Sequence, residues 1–213
     1  MGMFLRRGAV SAGKKLGAID VGTMIKLNES GSPVEFYIAK HDYESGLNGT
    51  GRTLIARKDC YDTRAFNGSG NAYANSSLDS WLCNTYLKLL DADIQVAIGT
   101  TKFYYTPGNG NATVTTLQRA VFQLSLTELG KTGKYANTEG SALPIASTLQ
   151  IAYHNGSAVT QWTRTPYTNN KYYAYYLYTN GAAGGNSCNS SYGSRPAFTL
   201  PSDFIITDDM LAA

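Results

Sequence analysis

Chemistry in this chain could start from two histidines, three cysteines and one glycine-rich basic stretch. His41 and His154 stand in no HExxH or comparable spacing, so neither a metal site nor a catalytic base can be built on them, and structural roles are expected. Cys60, Cys83 and Cys188 form no CxxC pair and are odd in number, which points to free thiols. The stretch from Gly8 to Lys15 departs by one residue from a phosphate-binding loop. Lys15 occupies the place of the magnesium-binding hydroxyl, and too few residues precede Gly8 to form the buried strand that such a loop follows, so a flexible segment is expected instead. No GxSxG elbow is present. Asp203, Asp208 and Asp209 lack the spacing of a calcium cage and read as an acidic tail, and Asn48, Asn67 and Asn155, each followed by Gly and then Ser or Thr, read as turns. The expectation is a chain without catalysis, cofactor or metal.

Recognition is the chemistry the sequence does favour. Half of the residues from 167 to 178 are tyrosine, and Asn, Ser, Thr and Gly fill most of the rest up to residue 192. Tyrosine offers large rigid area with a polar tip, and Asn and Ser offer adaptable hydrogen bonds, the mixture that recognition surfaces use. The candidate ligand-binding residues are Thr168, Asn169, Asn170, Tyr172, Tyr173, Tyr175, Asn186, Ser187, Cys188, Asn189, Ser190 and Tyr192. Two phrases bracket them, W-T-R-T-P at 162–166 and S-R-P-A-F at 194–198. Arg164 and Arg195 are expected to satisfy loop carbonyls with their forked donors, Trp162 and Phe198 to anchor the core, and Pro196 and Trp81 to complete the scaffold. Side chains between the brackets are expected to vary without touching the fold. Alternate tyrosines of 172–178 should face inward if that segment is a strand.

These residues need a frame. With 43% hydrophobic residues in 213, the chain can bury a core, and a net charge of +3 is too mild for a nucleic-acid footprint. No apolar run reaches the roughly 18 to 20 residues of a membrane span, and residues 1–10 do not form a secretory signal, so a protein made in the cytoplasm is expected, with no membrane insertion. Residues 1–22 read as an attachment arm and 23–213 as the domain. Strands are expected at 23–27, 34–41 and 53–58, the first two joined by a turn at 28–32. Helices are expected at 76–90 and, more weakly, 117–124, with a short helical turn at 125–130 ended by Gly130 and a loop at 106–113. Beyond residue 138 the composition suggests irregular loops with brief strands. The class is α+β, with short antiparallel strands, two main helices and long loops.

The W-T-R-T-P opening, Tyr175-Tyr176-Leu177-Tyr178 with Asn180-Gly181, the closing G-S-R-P-A-F-T-L and the S-S-L-D-S-W-L-C element at 76–83 resemble a W-L-R-S-P … G-V-R-P-A-F family of gut-bacterial and prophage proteins. That resemblance covers about residues 20–200 and implies a C-type-lectin-like fold, similar to the variable proteins of diversity-generating retroelements, in which adenine-directed mutagenesis turns Asn codons into Tyr, Ser, Thr, Gly or Cys. Ser194 and Thr163 depart from the family pattern. The resemblance implies a phage receptor-binding or adhesion protein in the virion. Its diversified face would meet a bacterial surface protein or glycan, its N-terminal arm would hold other virion proteins, and it would act as a homo-oligomer, a trimer being favoured. Two alternatives stand beside it: a head-decoration or tail-tip component whose tyrosines join subunits, and an enzyme of the formylglycine-generating type, for which Cys188 is a poor candidate.

Overall fold

The structure, a computed structural model, describes residues 13–212. The near-miss phosphate loop up to Ala12 and most of the expected arm lie outside the described residues. From Gly13 onward the chain is not an arm. Lys14–Lys15 pairs antiparallel with Ile205–Ile206, the Leu16 and Gly17 amides donate to the carbonyls of Phe204 and Ser202, and Leu16 is fully buried. One apolar side chain among glycines and lysines is enough to draw this segment into the core.

The first hairpin forms where the alternation places it. Met24–Glu29 pairs with Ser32–Lys40, and Ser30 and Gly31 turn the corner with φ of 54° and 75°. Positive φ at both central residues is the turn geometry whose twist matches antiparallel strands, so the expected five-residue turn shortens to two. Arg52–Arg57 extends the pair. The strand Pro196–Pro201 joins next, and Val121–Gln123 completes a five-stranded sheet. One face carries Phe36, Ile38, Ile55, Phe198 and Leu200, the Phe198 ring meeting the edge of Phe36, and Leu54 is buried on the other.

A second five-stranded sheet has the order Ala183–Ser187, Tyr173–Leu177, Gln161–Pro166, Ser191–Ser194 and Asp62–Ala65. All of its pairs are antiparallel except Gln161–Pro166 with Ser191–Ser194. Arg195 is the single residue between Ser191–Ser194 in this sheet and Pro196–Pro201 in the first. The region past residue 138 is therefore more regular than its composition suggested. Tyrosine fits a pleated surface well, and the Gly- and Ala-rich strand opposite gives its rings room.

Helix content corrects the expectation of two main helices. Ser77–Asn84 is the one helix of seven or more residues among the described ones. Ser76 caps it by accepting from the Asp79 amide, and Leu78 and Leu82 are buried. Beyond Thr85 the chain tightens into the 3-10 turn Tyr86–Leu89 rather than continuing the helix to residue 90. The helix expected at 117–124 is instead two strands, Thr115–Arg119 paired with Thr101–Tyr105, and Val121–Gln123. Apolar residues at 117, 121 and 124 mimic a helical stripe, but Thr115, Thr116, Val121 and Phe122 are strand formers, and long-range pairing decides such short runs. At 125–130 the short turn does form. Ser125 Oγ accepts from the Glu128 amide, the Glu128 carboxylate accepts from the Ser125 amide, and Gly130 ends the turn at φ 69°. No helix of the described residues is long and apolar enough to cross a membrane.

Candidate ligand-binding face

Two arginines fix the frame of the tyrosine-rich segment. Arg164 is fully buried. Its Nη1 donates to Glu128 Oε2 at 2.6 Å and to the Gln123 carbonyl at 3.0 Å, while Nε and Nη2 both reach the Tyr104 carbonyl. The Tyr43 hydroxyl donates to the other Glu128 oxygen, and the buried Glu139 accepts from Thr165 Oγ1 and the Thr106 amide. Burial alone opposes the Arg164 charge, but Glu128, Tyr43 and Glu139 outweigh it and raise the pKa above the usual arginine value. Among the described residues Arg195 has no carboxylate within ion-pair distance. It donates instead to the carbonyls of Arg57, Leu149 and Lys58, and burial lowers its pKa. Trp162 is buried with its Nε1 donating to the Arg64 carbonyl, and Trp81 packs on Tyr61 and Tyr86 beneath the Arg64 guanidinium.

A buried asparagine outside the tyrosine-rich segment organises the loops. Asn71 Nδ2 donates to the carbonyls of Tyr167, Asn170 and Tyr173 at 2.9, 2.9 and 2.7 Å, which closes the 167–173 turn around one amide. Its Oδ1 accepts from the Asn109 amide while Asn109 Oδ1 accepts from the Asn71 amide. The loop at 131–137 joins through Tyr135, whose carbonyl accepts from both Thr168 N and Thr168 Oγ1. Loops around residues 70, 109, 135 and 170 thus meet at one end of the second sheet.

The tyrosines divide between interior and surface. Tyr175 stacks on Tyr167 at 4.1 Å between ring centroids, and its hydroxyl accepts from the Tyr135 amide. Burial raises its pKa to about 12. Tyr176 and Tyr192 pack around Trp162, with Tyr192 held by Asn186 Nδ2. Tyr172, Tyr173 and Tyr178 are 53%, 37% and 47% exposed. Two of the candidate contact residues are therefore interior ones, Tyr175 and Cys188. Cys188 is buried, which raises its pKa to about 12 and keeps its thiol protonated and enclosed. The expected alternation fails because both Tyr175 and Tyr176 are covered, one on each face of the sheet. Asn169, Tyr172, Tyr173 and Asn189 are exposed, and Thr168, Asn170, Asn186, Ser187, Ser190 and Tyr192 are half-buried.

A family model described as a domain of unknown function (DUF6273) matches residues 50–202, well over half of the chain. The chain belongs to the DUF6273 family. No curated protein and no solved structure matches it. The matched stretch of this DUF6273 chain holds all five strands of the second sheet and three of the first, and leaves the hairpin Met24–Glu29 and Ser32–Lys40 outside it.

Free variation between the brackets is not what the DUF6273 fold permits. Gly185 lies opposite Tyr175 and Gly184 opposite Tyr176. A Cβ on Gly185 would run into the Tyr167 ring, and one on Gly184 would come within 2.7 Å of the Tyr176 ring. Ala174 and Leu177 are fully buried, so the adaptable surface is a subset of 168–192. Sequence reasoning missed Asn71, Asn109, Tyr135 and Lys134. A lone Asn in a Gly/Asn/Ser loop carries no periodic signal, and only tertiary contact reveals that role. His41 bonds Thr53 Oγ1 and the Ile19 carbonyl, and His154 Nδ1 lies 3.4 Å from the Cys60 carbonyl. All three cysteines are free thiols.

Proposed function

We propose that this chain is a phage receptor-binding or adhesion protein with a C-type-lectin-like arrangement, and that it presents the exposed part of 168–192 to molecules on bacterial surfaces. The observation that carries the reading is the coexistence of exposed Tyr172 and Tyr173 with a turn pinned from beneath by Asn71. Rigid aromatic anchors beside exposed Asn169 and Asn189 lose little entropy on binding, which is how a preorganised recognition face gains affinity. Short, mostly antiparallel sheets, a single helix of seven or more residues among the described ones and long connections are compatible with the lectin-like reading, which itself rests on the W-T-R-T-P and S-R-P-A-F brackets. Several copies, as on a trimer, would raise the avidity of a weak single face.

The test uses the fluorescently labelled chain, clustered on streptavidin, against a panel of intact gut bacteria. The double variant Tyr172→Ala/Tyr173→Ala is expected to lose about thirtyfold or more of its binding, the size of a hot-spot truncation. Its melting temperature should stay within about 2 °C of the parent, as for exposed substitutions. Unchanged cell binding by the folded variant would remove the proposal.

A further inference from the structure

Carboxylates are missing from the surface around Tyr172 and Tyr173. From Ile94 to Ser202 the chain contains only two acidic residues, Glu128 and Glu139, and both are buried in the Arg164 network. Asp62, at the edge of the second sheet, is held by Arg64, and Glu44, which borders the 138–141 loop, has one carboxylate oxygen buried and turned towards Gly140. The acidic residues Asp91, Asp93 and Asp209 line a separate cleft with Lys26.

Cations do stand on the tyrosine face. Lys171 Nζ lies 5.2 Å from the Tyr172 ring centroid and Lys134 Nζ 5.2 Å from that of Tyr135. Tyr135 in turn sits 5.8 Å from Tyr167, and its carbonyl holds Thr168, so the two exposed lysines occupy adjoining loops. Among the described residues neither is paired with a carboxylate. A shallow recess lined by Ser69, Gly70, Asn109, Lys171 and Tyr172 opens beside Lys171. Aromatic rings stack on the apolar faces of sugars, amides and hydroxyls answer sugar hydroxyls, and unpaired lysines select an anion. A nucleic acid would call for a denser run of cations than these loops supply.

We infer that the ligand of this face is an acidic glycan, whose carboxylate or phosphate groups are held by Lys134 and Lys171 while Tyr172 and Tyr173 stack on its sugar rings. This rests on the ligand-binding reading above. The experiment measures binding of the immobilised full chain to polygalacturonate, to glycerol-phosphate teichoic acid, to neutral dextran and to a thymidine oligonucleotide. At least one of the two acidic glycans should bind, dextran should not, and which acidic polymer wins distinguishes carboxylate from phosphate. Lys134→Gln/Lys171→Gln should weaken that binding about tenfold, as should raising the salt from about 0.05 to about 0.5 M, because exposed charges are screened. Dextran binding as well as the acidic polymers, preference for the oligonucleotide, binding of neither acidic polymer, or indifference to the lysine substitutions would each overturn the inference. Intact bacteria separate the two levels. If the tyrosine double variant loses cell binding and the lysine double variant keeps it, the acidic-glycan inference alone falls. If the tyrosine variant keeps it, the ligand face itself falls.

Discussion

Arg164→Met is expected to destabilise the chain by about 3–5 kcal/mol, because it leaves Glu128 buried without its cation. The same change strips donors from the carbonyls of Gln123 and Tyr104. For a domain of this size the melting temperature should fall by about 10 °C or more. Adding Glu128→Gln should return part of the loss, since the uncompensated charge goes with it, and the double variant should be less damaged than the sum of the singles. Arg164→Lys should rescue little: an ammonium cannot reach Glu128, Gln123 and Tyr104 together as the planar fork does. Thermal unfolding followed by circular dichroism reads the parent and all four variants, Glu128→Gln alone included. A melting temperature for Arg164→Met within about 2 °C of the parent would show that the buried pair does not hold the frame.

Asn71→Ala is expected to reach further into function than into stability. It removes the donor shared by the Tyr167, Asn170 and Tyr173 carbonyls, at a cost of about 1–3 kcal/mol for buried groups left unpaired. The turn carrying Tyr172 should then open. Hydrogen exchange of the amides in 167–173 should speed up, while the strand Arg52–Arg57 keeps its protection, and binding to intact bacteria should drop. Asn71→Asp should be no better, because a carboxylate oxygen would face carbonyl oxygens where an N–H now donates. Unaltered exchange in 167–173 would mean that the turn is held by other contacts.

The brackets around the tyrosine-rich segment were legible because a proline or an aromatic beside an arginine has few uses other than anchoring, and Arg164 and Arg195 do bind backbone carbonyls, although those of Tyr104, Gln123 and Arg57 belong to strands rather than to loops. The first hairpin was legible from its period-two alternation, and the helix at Ser77–Asn84 from its cap and its leucine spacing. The division of the tyrosines was not. In a strand buried on one face, alternation sorts the side chains, but here both faces are covered, so Tyr175 and Tyr176 are adjacent and both interior. Nor could the sequence show that aromatic rings close over Gly184 and Gly185, because strand register sets Tyr176 against the first and the 167–173 turn sets Tyr167 against the second. Residues 117–124 misled for a related reason: a short apolar run fits two periods, and pairing with Thr101–Tyr105 and Pro196–Pro201 chooses between them.

The proposed binding face divides 168–192 into exposed side chains that bind and buried neighbours that hold the frame. The measurement that reaches it most directly is a saturation scan of 167–192, sorted in parallel for folded protein and for binding to intact bacteria. Substitutions at Asn169, Tyr172, Tyr173 and Asn189 should lose binding and remain folded, whereas those at Ala174, Tyr175, Tyr176, Gly184 and Gly185 should lose both. If substitutions at the exposed positions bind as the parent does, or if they unfold the chain as readily as the buried ones, the account is contradicted.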